Sequence, residues 1–458
     1  MKCCLFIFRR DLRTEDNIGF NFAINNYDKV IPIFIFTPEQ ITNKNKFKSN
    51  NAIEFMIESL HELNNKLNSK LLYFQGDNIK IIQKILSNES QINTIITNMD
   101  YTPYALNRDK DIKNLCEKNN ILFLNTEDYL LLPIGSMLKS DNNPYTVFTP
   151  FYKNGLKNNI PKPVYKKNIN NKLYNPKSLI NIKDNLIKYD KNPEKLVKGG
   201  RDEGLKILKN IKQFKKYGEE RNELSISTTH LSAYIKFGCL SIREVFHIIK
   251  DELGKSSVLI SQLFWREFYF YITYYFPHVL NGKNYNKKYN NIKWVKNKKY
   301  FEAWKDGKTG YPVVDAGMIE LKTTGYMHNR ARLITANFVN RMLGLDWREG
   351  EKYYATQLTD YDPAVNNGNW QWISSTGVDP KPYFQRLFNP WLQSQKFDKN
   401  AEYIKKWLPQ LSNIPSNHLH QWDKFFKNYD LKDLNYIEPI VNYKEARERS
   451  IKMYREIL

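Results

Sequence analysis

The segment DYDPAVNNGNWQW, residues 360–372, brings together two carboxylates, an Asn-rich stretch and two tryptophans. Asp360 and Asp362 can accept hydrogen bonds from N–H or hydroxyl groups of a polar ligand, and Asn366 offers both a donor and an acceptor. Trp370 and Trp372 offer flat stacking surfaces and easily oxidised indoles. Neither a helical nor a strand period accounts for the whole set. The mixture suits a redox-active, aromatic, hydroxyl-rich ligand such as a flavin. The alternative is a turn followed by a core helix whose tryptophans simply pack.

Three further segments carry chemistry. Gln262, Trp265, Arg266 and Tyr269 fall at i, i+3, i+4 and i+7, which puts them on one helix face. An arginine there needs a counter-charge or a phosphate, and an ion pair with Glu267 is the plain alternative. The run Thr228, Thr229, His230, Leu231, Ser232 precedes an apolar periodic stretch and reads as a helix start with hydroxyl caps, a place where phosphates also bind. Residues 328–333 follow Gly325 and open another helix on which Asn329, Arg332 and Leu333 share a face, with Arg330 about a quarter-turn away. Arg332 needs a carboxylate, for which Asp360 is the candidate, and Arg330 is then left for a phosphate or a base.

The elements that must hold these residues fall into two unlike halves. Apolar runs at 4–8, 30–36, 70–74, 94–97 and 121–124 alternate with amphipathic stretches such as 52–67 and 79–86. That rhythm predicts a doubly wound parallel α/β domain over 1–130, without a GxGxxG fingerprint. Residues 131–198 read as a connector, and from about 153 to 193 its Asn, Lys and Pro content predicts a path over the surface. Residues 199–458 read as an all-α domain.

The chain has 458 residues, 41% of them hydrophobic, enough for two or three cores. With 70 Lys+Arg against 48 Asp+Glu, its charge of +22 favours a polyanionic partner, although an AT-rich coding bias would also enrich lysine. Four scattered cysteines show no metal-site spacing and fit a reducing interior. No metal is expected. The N-terminal apolar run is too short for a signal peptide, and Gln262, Arg266 and Glu267 interrupt the most membrane-like stretch. The expectation is an intracellular, non-secreted monomer, in cytoplasm or nucleus, with no membrane and no obligate protein partner.

Taken together, FRRDLR (8–13), WREF (265–268), GKTGYP (307–312), MHNR (327–330), DWREG (346–350) and NNGNW (366–370) resemble the photolyase/cryptochrome family along nearly the whole chain, most closely its class I cyclobutane pyrimidine dimer (CPD) photolyases. The resemblance implies FAD in the helical domain, contacted by Tyr217, Thr228, Thr229, His230, Leu231, Ser232, Leu259, Arg266, Arg332, Asp360, Tyr361, Asp362 and Asn366. Asn366 matches the position facing the reactive flavin nitrogen. Trp370, Trp347 and Trp294 match the chain that reduces the flavin under light.

The resemblance further implies light-driven splitting of CPDs in UV-damaged DNA by electron transfer from excited, reduced FAD. Trp265 and Trp372 match the indoles that clamp the flipped dimer; Arg221, Gln262, Arg266, Tyr269, Asn329, Arg330, Leu333, Arg386 and Gln393 complete the DNA side. Gln262 stands where CPD enzymes usually carry Glu, and Leu333 where they usually carry Met. The alternatives are a cryptochrome-like photoreceptor without repair and a six-four photolyase, whose histidines at the positions of Asn329 and Leu333 are absent. A second, antenna chromophore is implied in the α/β domain. DYTPY (100–104) with Arg108 and Asp109 looks like members using a deazaflavin or a second flavin, and Ala105 stands where some folate-binding members carry a glutamate.

Overall fold

The computed structural model describes residues 2–165, 169–179, 187–379 and 382–457. Strands whose side chains are apolar on both faces must be covered on both sides, and the inner runs here are. They form β1 (Cys3–Phe8), β2 (Lys29–Phe36), β3 (Leu72–Gln75), β4 (Ile92–Asn98) and β5 (Leu122–Thr126). All neighbours pair parallel in the order β3-β2-β1-β4-β5. The strands lie within two residues of the expected runs at either end. β3 begins late because the Leu71 N–H is taken by the Asn64 side chain at 3.1 Å. Helices Ile18–Asn26, Asn50–Lys66, Asn78–Asn88 and Pro103–Lys118 lie between successive strands. The strand order reverses between β1 and β4, where Arg9, Arg10 and Asp100 stand at the carboxyl ends.

The surface path expected over 153–193 is only part of the picture. Ile160, Leu173 and Ile187 are buried, and Leu173 bridges to Val30 at the sheet. A polar composition masks a few apolar anchors. Just before it, helix Phe148–Gly155 buries Phe148 and Phe151 in a core cluster shared by both halves.

The halves are joined by charges rather than by apolar contact alone. Arg243, from helix Ile242–Leu253, crosses to Asp16 at 3.0 Å and to Asp128 at 2.9 Å, and Asp128 is shared with Arg13 of its own half at 2.6 Å. Arg201, paired within the helical half to Glu244 at 2.8 Å, crosses to Glu15 at 3.1 Å. The loop after β1 supplies one side of most of these pairs. It presses so closely on Gly238 (φ +65°) that a Cβ there would overlap the Arg10 carbonyl. Only glycine serves at that crossing.

Burial raises the Asp128 carboxyl, but Arg13 and Arg243 more than offset it and hold the group below its ordinary value. Asp128→Ala leaves the buried Arg13 guanidinium without its carboxylate and Arg243 with Asp16 alone, and is expected to lower unfolding free energy by about 3–5 kcal/mol, measured by denaturant titration. A depressed carboxyl stabilises above its unfolded pKa of about 3.9 and loses that contribution as pH falls through its folded value. The difference between wild type and variant should therefore shrink in acid. A difference independent of acid pH would show that Asp128 is not ionised in the fold.

Candidate cofactor and substrate site

The Arg332–Asp360 pair forms as the helix phase requires: Arg332 Nη2 donates to both Asp360 oxygens at 3.1 and 3.0 Å. Ser232 Oγ donates to the same carboxylate at 2.7 Å and contacts the Tyr326 hydroxyl. His230 packs edge-on against Tyr326, its backbone held left-handed at φ 51°. Such a conformation in a non-glycine residue costs on the order of 1–3 kcal/mol and concentrates at functional sites. The helix does start at Leu231, whose N–H donates to the Thr229 hydroxyl at 3.5 Å; His230 stands at the cap without a side-chain bond, and the Ser232 hydroxyl turns to Asp360. Burial pushes His230 down to about 4, so it is neutral at pH 7. Tyr217, Thr228 and Thr229 stand half-buried nearby in sequence, and Leu259 is buried on the adjoining long helix.

Helix Pro363–Ile373 carries the rest of the opening segment. Asp362 caps it, accepting from the N–H groups of Ala364 (3.0 Å) and Val365 (3.4 Å), while its other oxygen takes Arg10 and the Tyr129 hydroxyl. Its carboxylate is therefore held by the fold, not left open to a ligand as the motif suggests. Tyr361 stacks on Phe47 at 6.1 Å. Asn366 Nδ2 donates to the Glu351 carbonyl at 3.2 Å, and burial lifts the Glu351 carboxyl to about 7. Trp370 is buried against Gly350, Tyr354 and Trp304. Trp347 donates its indole N–H to Asn284 at 2.9 Å, and half-buried Trp294 meets Tyr454 at 6.2 Å.

Helix Val258–Tyr275 divides its polar face. Trp265 stacks on Phe148 (centroids 3.7 Å, 8°) and leans on Tyr269. Gln262 turns back to Ser261 Oγ at 3.0 Å, and the Tyr269 hydroxyl donates to Asn369 at 3.4 Å. Arg266 leaves them. It pairs with Glu267 at 2.8 Å, donates to the Tyr129 carbonyl at 3.0 Å and lies 4.2 Å from the Tyr129 ring. The plain ion pair is what forms, because the turn of the helix aims Arg266 at the seam between the halves.

Arg386, placed on the DNA side by the resemblance, is buried: its guanidinium lies 3.9 Å over Trp372, donates to the Trp372 carbonyl and reaches the Asp379 carbonyl at 2.6 Å. Arg330 lies over Phe397 at 4.2 Å and donates to Asn222 at 2.6 Å, with Arg221 close enough to depress its pKa after burial does. Asn329 is exposed and Leu333 half-buried.

Of the buried polar side-chain atoms without a hydrogen-bond partner among the described residues, which occur throughout the fold, four belong to candidate-site residues: His328 Nε2, Arg330 Nε, Trp372 Nε1 and Gln393 Oε1. A polar ligand is one partner that would satisfy them. Lys236 gives the same indication. Burial and Arg10 push its ammonium down to about 7 despite Asp362 and Asp360, and an anion beside it would restore the full charge. With the Arg332–Asp360 pair and the Asn366 amide, this donor set fits FAD. Lys236, Phe148 and the Arg10–Asp362 contact escape the motifs; the only sequence signal is a lysine inside the apolar run 231–240.

Residues 4–166 match the family model for DNA photolyase, and residues 259–456 match that for the FAD binding domain of DNA photolyase. The deoxyribodipyrimidine photo-lyase of Buchnera aphidicola (strain APS) is 35% identical, covering 99% of this chain and 96% of its own length. That of Escherichia coli K12 is 33% identical, with 98% and 97% covered. An archaeal photolyase from Sulfolobus tokodaii with two FAD molecules superposes with a TM-score of 0.88 at 40% identity, covering 99% of this chain and 100% of that one. A Synechocystis cryptochrome also gives 0.88, at 26% identity with 99% of each chain covered. The chain belongs to the photolyase/cryptochrome family. Within it the protein is an FAD-binding photo-lyase.

Gly350 abuts Trp370 so closely that an added Cβ would overlap the indole. Gly350→Ala is expected to destabilise by about 1–3 kcal/mol through overpacking, despite its better helix propensity. Thermal unfolding with near-ultraviolet circular dichroism reads it; an unchanged spectrum and midpoint would mean the indole is seated elsewhere.

Proposed function

We propose that this photo-lyase splits CPDs in UV-damaged DNA under blue light. The observation carrying that reading is one helix, Pro363–Ile373, that bears the neutral amide Asn366, the buried indole Trp370 and the half-buried indole Trp372 within two turns. Bound FAD supplies the light absorption and the one-electron chemistry. Tyr217, Thr228, Thr229, Ser232, Leu259 and the Arg332–Asp360 pair hold the cofactor, with Lys236 beside its anionic part. Trp294, Trp347 and Trp370 conduct an electron from the surface to the pocket.

On the DNA side, Trp265 backed by Phe148 and Trp372 backed by Arg386 clamp the apolar ring of the dimer. Gln262 and Asn329 satisfy its polar edges, and the half-buried Arg330 and Gln393 stand beside the same lesion or its phosphate. A dimer stacks poorly, so extruding it costs less than flipping a normal base, on the order of a few kcal/mol. The charge of +22 supports backbone binding through surface cations such as Arg221. In the α/β half, Arg9 and Arg108 each leave a buried guanidinium nitrogen, Nη2, without a hydrogen-bond partner near the carboxyl ends of the strands. That supports an anionic antenna chromophore there, a deazaflavin, a flavin or a folate.

The deciding experiment illuminates purified, reduced holoprotein with two oligonucleotides, one carrying a CPD and one a six-four photoproduct, with dark controls. Loss of only the CPD is expected. Repair of only the six-four lesion would overturn the substrate, and repair of neither by flavin-loaded protein would indicate a photoreceptor.

The buried position of Arg386 separates clamp from phosphate contact. Arg386→Ala should weaken binding of CPD-containing DNA with no change in the slope of log K against log salt. Arg330→Ala should make that slope shallower by about 0.9, one phosphate's share. Equal loss of slope in both would return Arg386 to the DNA backbone.

A further inference from the structure

We propose that Trp370 can be refilled by a second electron route, through Trp304 to Tyr353, an inference that rests on the relay reading above. Trp370 is in ring contact with Trp304 (centroids 6.4 Å, 80°) and with Tyr354 (4.9 Å, 73°). Trp304 is fully buried and fixed by its indole N–H, which donates to the Thr335 carbonyl at 3.0 Å. Its other side meets Tyr353 at 5.6 Å. Tyr353 is half-buried, and its hydroxyl donates to the Lys305 carbonyl at 3.4 Å. A single buried indole therefore separates Trp370 from a phenol with access to solvent.

Tyr354, though nearer, ends the path. It is buried, its hydroxyl is bonded to Thr335 and faces the Arg332 carbonyl at 3.3 Å, and among the described residues no carboxylate or imidazole hydrogen-bonds it to take the proton that an oxidised phenol must lose. The charges along the two routes are paired at both ends. Arg348 lies 4.9 Å from the Trp347 ring and is paired with Asp346 at 2.9 Å. Among the described residues no such cation contact falls on Trp304. At Tyr353 the nearby Lys305 (5.6 Å) is paired with Glu302 at 2.8 Å, and Asp306, itself paired with Lys322 at 3.0 Å, also acts on the phenol.

Each event moves one electron. With bound FAD supplying the light-driven oxidation, Trp370 would give up the electron, Trp304 would refill Trp370, and Tyr353 would refill Trp304 while releasing its phenolic proton to water. An external thiol then restores Tyr353 by giving up a hydrogen atom.

The test uses FAD-loaded full-length protein with oxidised flavin, blue light and a dithiol. It compares Trp347→Phe, the Trp347→Phe/Trp304→Phe double variant and Trp370→Phe, each checked for flavin content and thermal midpoint. Trp347→Phe should still photoreduce, and the double variant should fall to the level of Trp370→Phe. If Trp347→Phe is already at that level, the branch is wrong and the relay reading stands. If Trp370→Phe photoreduces undiminished, the relay reading itself fails. Because Trp304 is a core residue, a second measurement spares it. Trp347→Phe frozen under illumination should show a tyrosyl radical by electron paramagnetic resonance, absent from Trp347→Phe/Tyr353→Phe. A signal from tryptophan alone would overturn the proposal.

Discussion

The loop following β1 governs the arrangement of everything else. Charges buried in a protein must be matched or the fold pays heavily for them, and Arg10, Arg13 and Asp16 each find their match in a distant element. Through Arg10 the loop grips Asp362, and Asp362 in turn sets the first turn of the helix bearing Asn366, Trp370 and Trp372. Through Arg13 and Asp16 it fixes Asp128 and Arg243. Moving this loop would rotate the helix that holds the candidate chemistry.

The candidate pocket is built so that its histidines contribute no charge. Burial keeps His230 and His328 neutral near pH 7, leaving the cationic work to Arg332, whose charge its aspartate secures, and to Lys236, whose charge depends on what lies beside it. A field made this way is fixed by covalent geometry and ion pairing, so it needs no rearrangement when electrons move.

Much of this was legible in the residues because it rests on short periods. The sheet follows from apolar runs separated by amphipathic ones, and the Arg332–Asp360 pair from helix phase together with the need of a half-buried guanidinium for a counter-ion. Partners far apart in sequence were not legible. Arg266 had two outlets, and only the approach of Tyr129 from the other half shows why it joins Glu267. Nothing near Arg386 in sequence shows that the 383–386 turn folds it over Trp372. Phe148 sits in a polar stretch, and nothing near it in sequence announces that it backs Trp265.

Tyr129 makes the point in another way. Arg10 and Arg266 both lie against its ring, at 4.3 and 4.2 Å, one supplied by the first strand's loop and the other by the long aromatic helix. A residue that serves two owners cannot be inherited with only one of them. The α/β and helical halves of this chain are therefore poor material for modular exchange: a half transplanted onto a foreign partner would arrive with one guanidinium in place and its counterpart missing. Co-inheritance of both halves is written into that one aromatic ring.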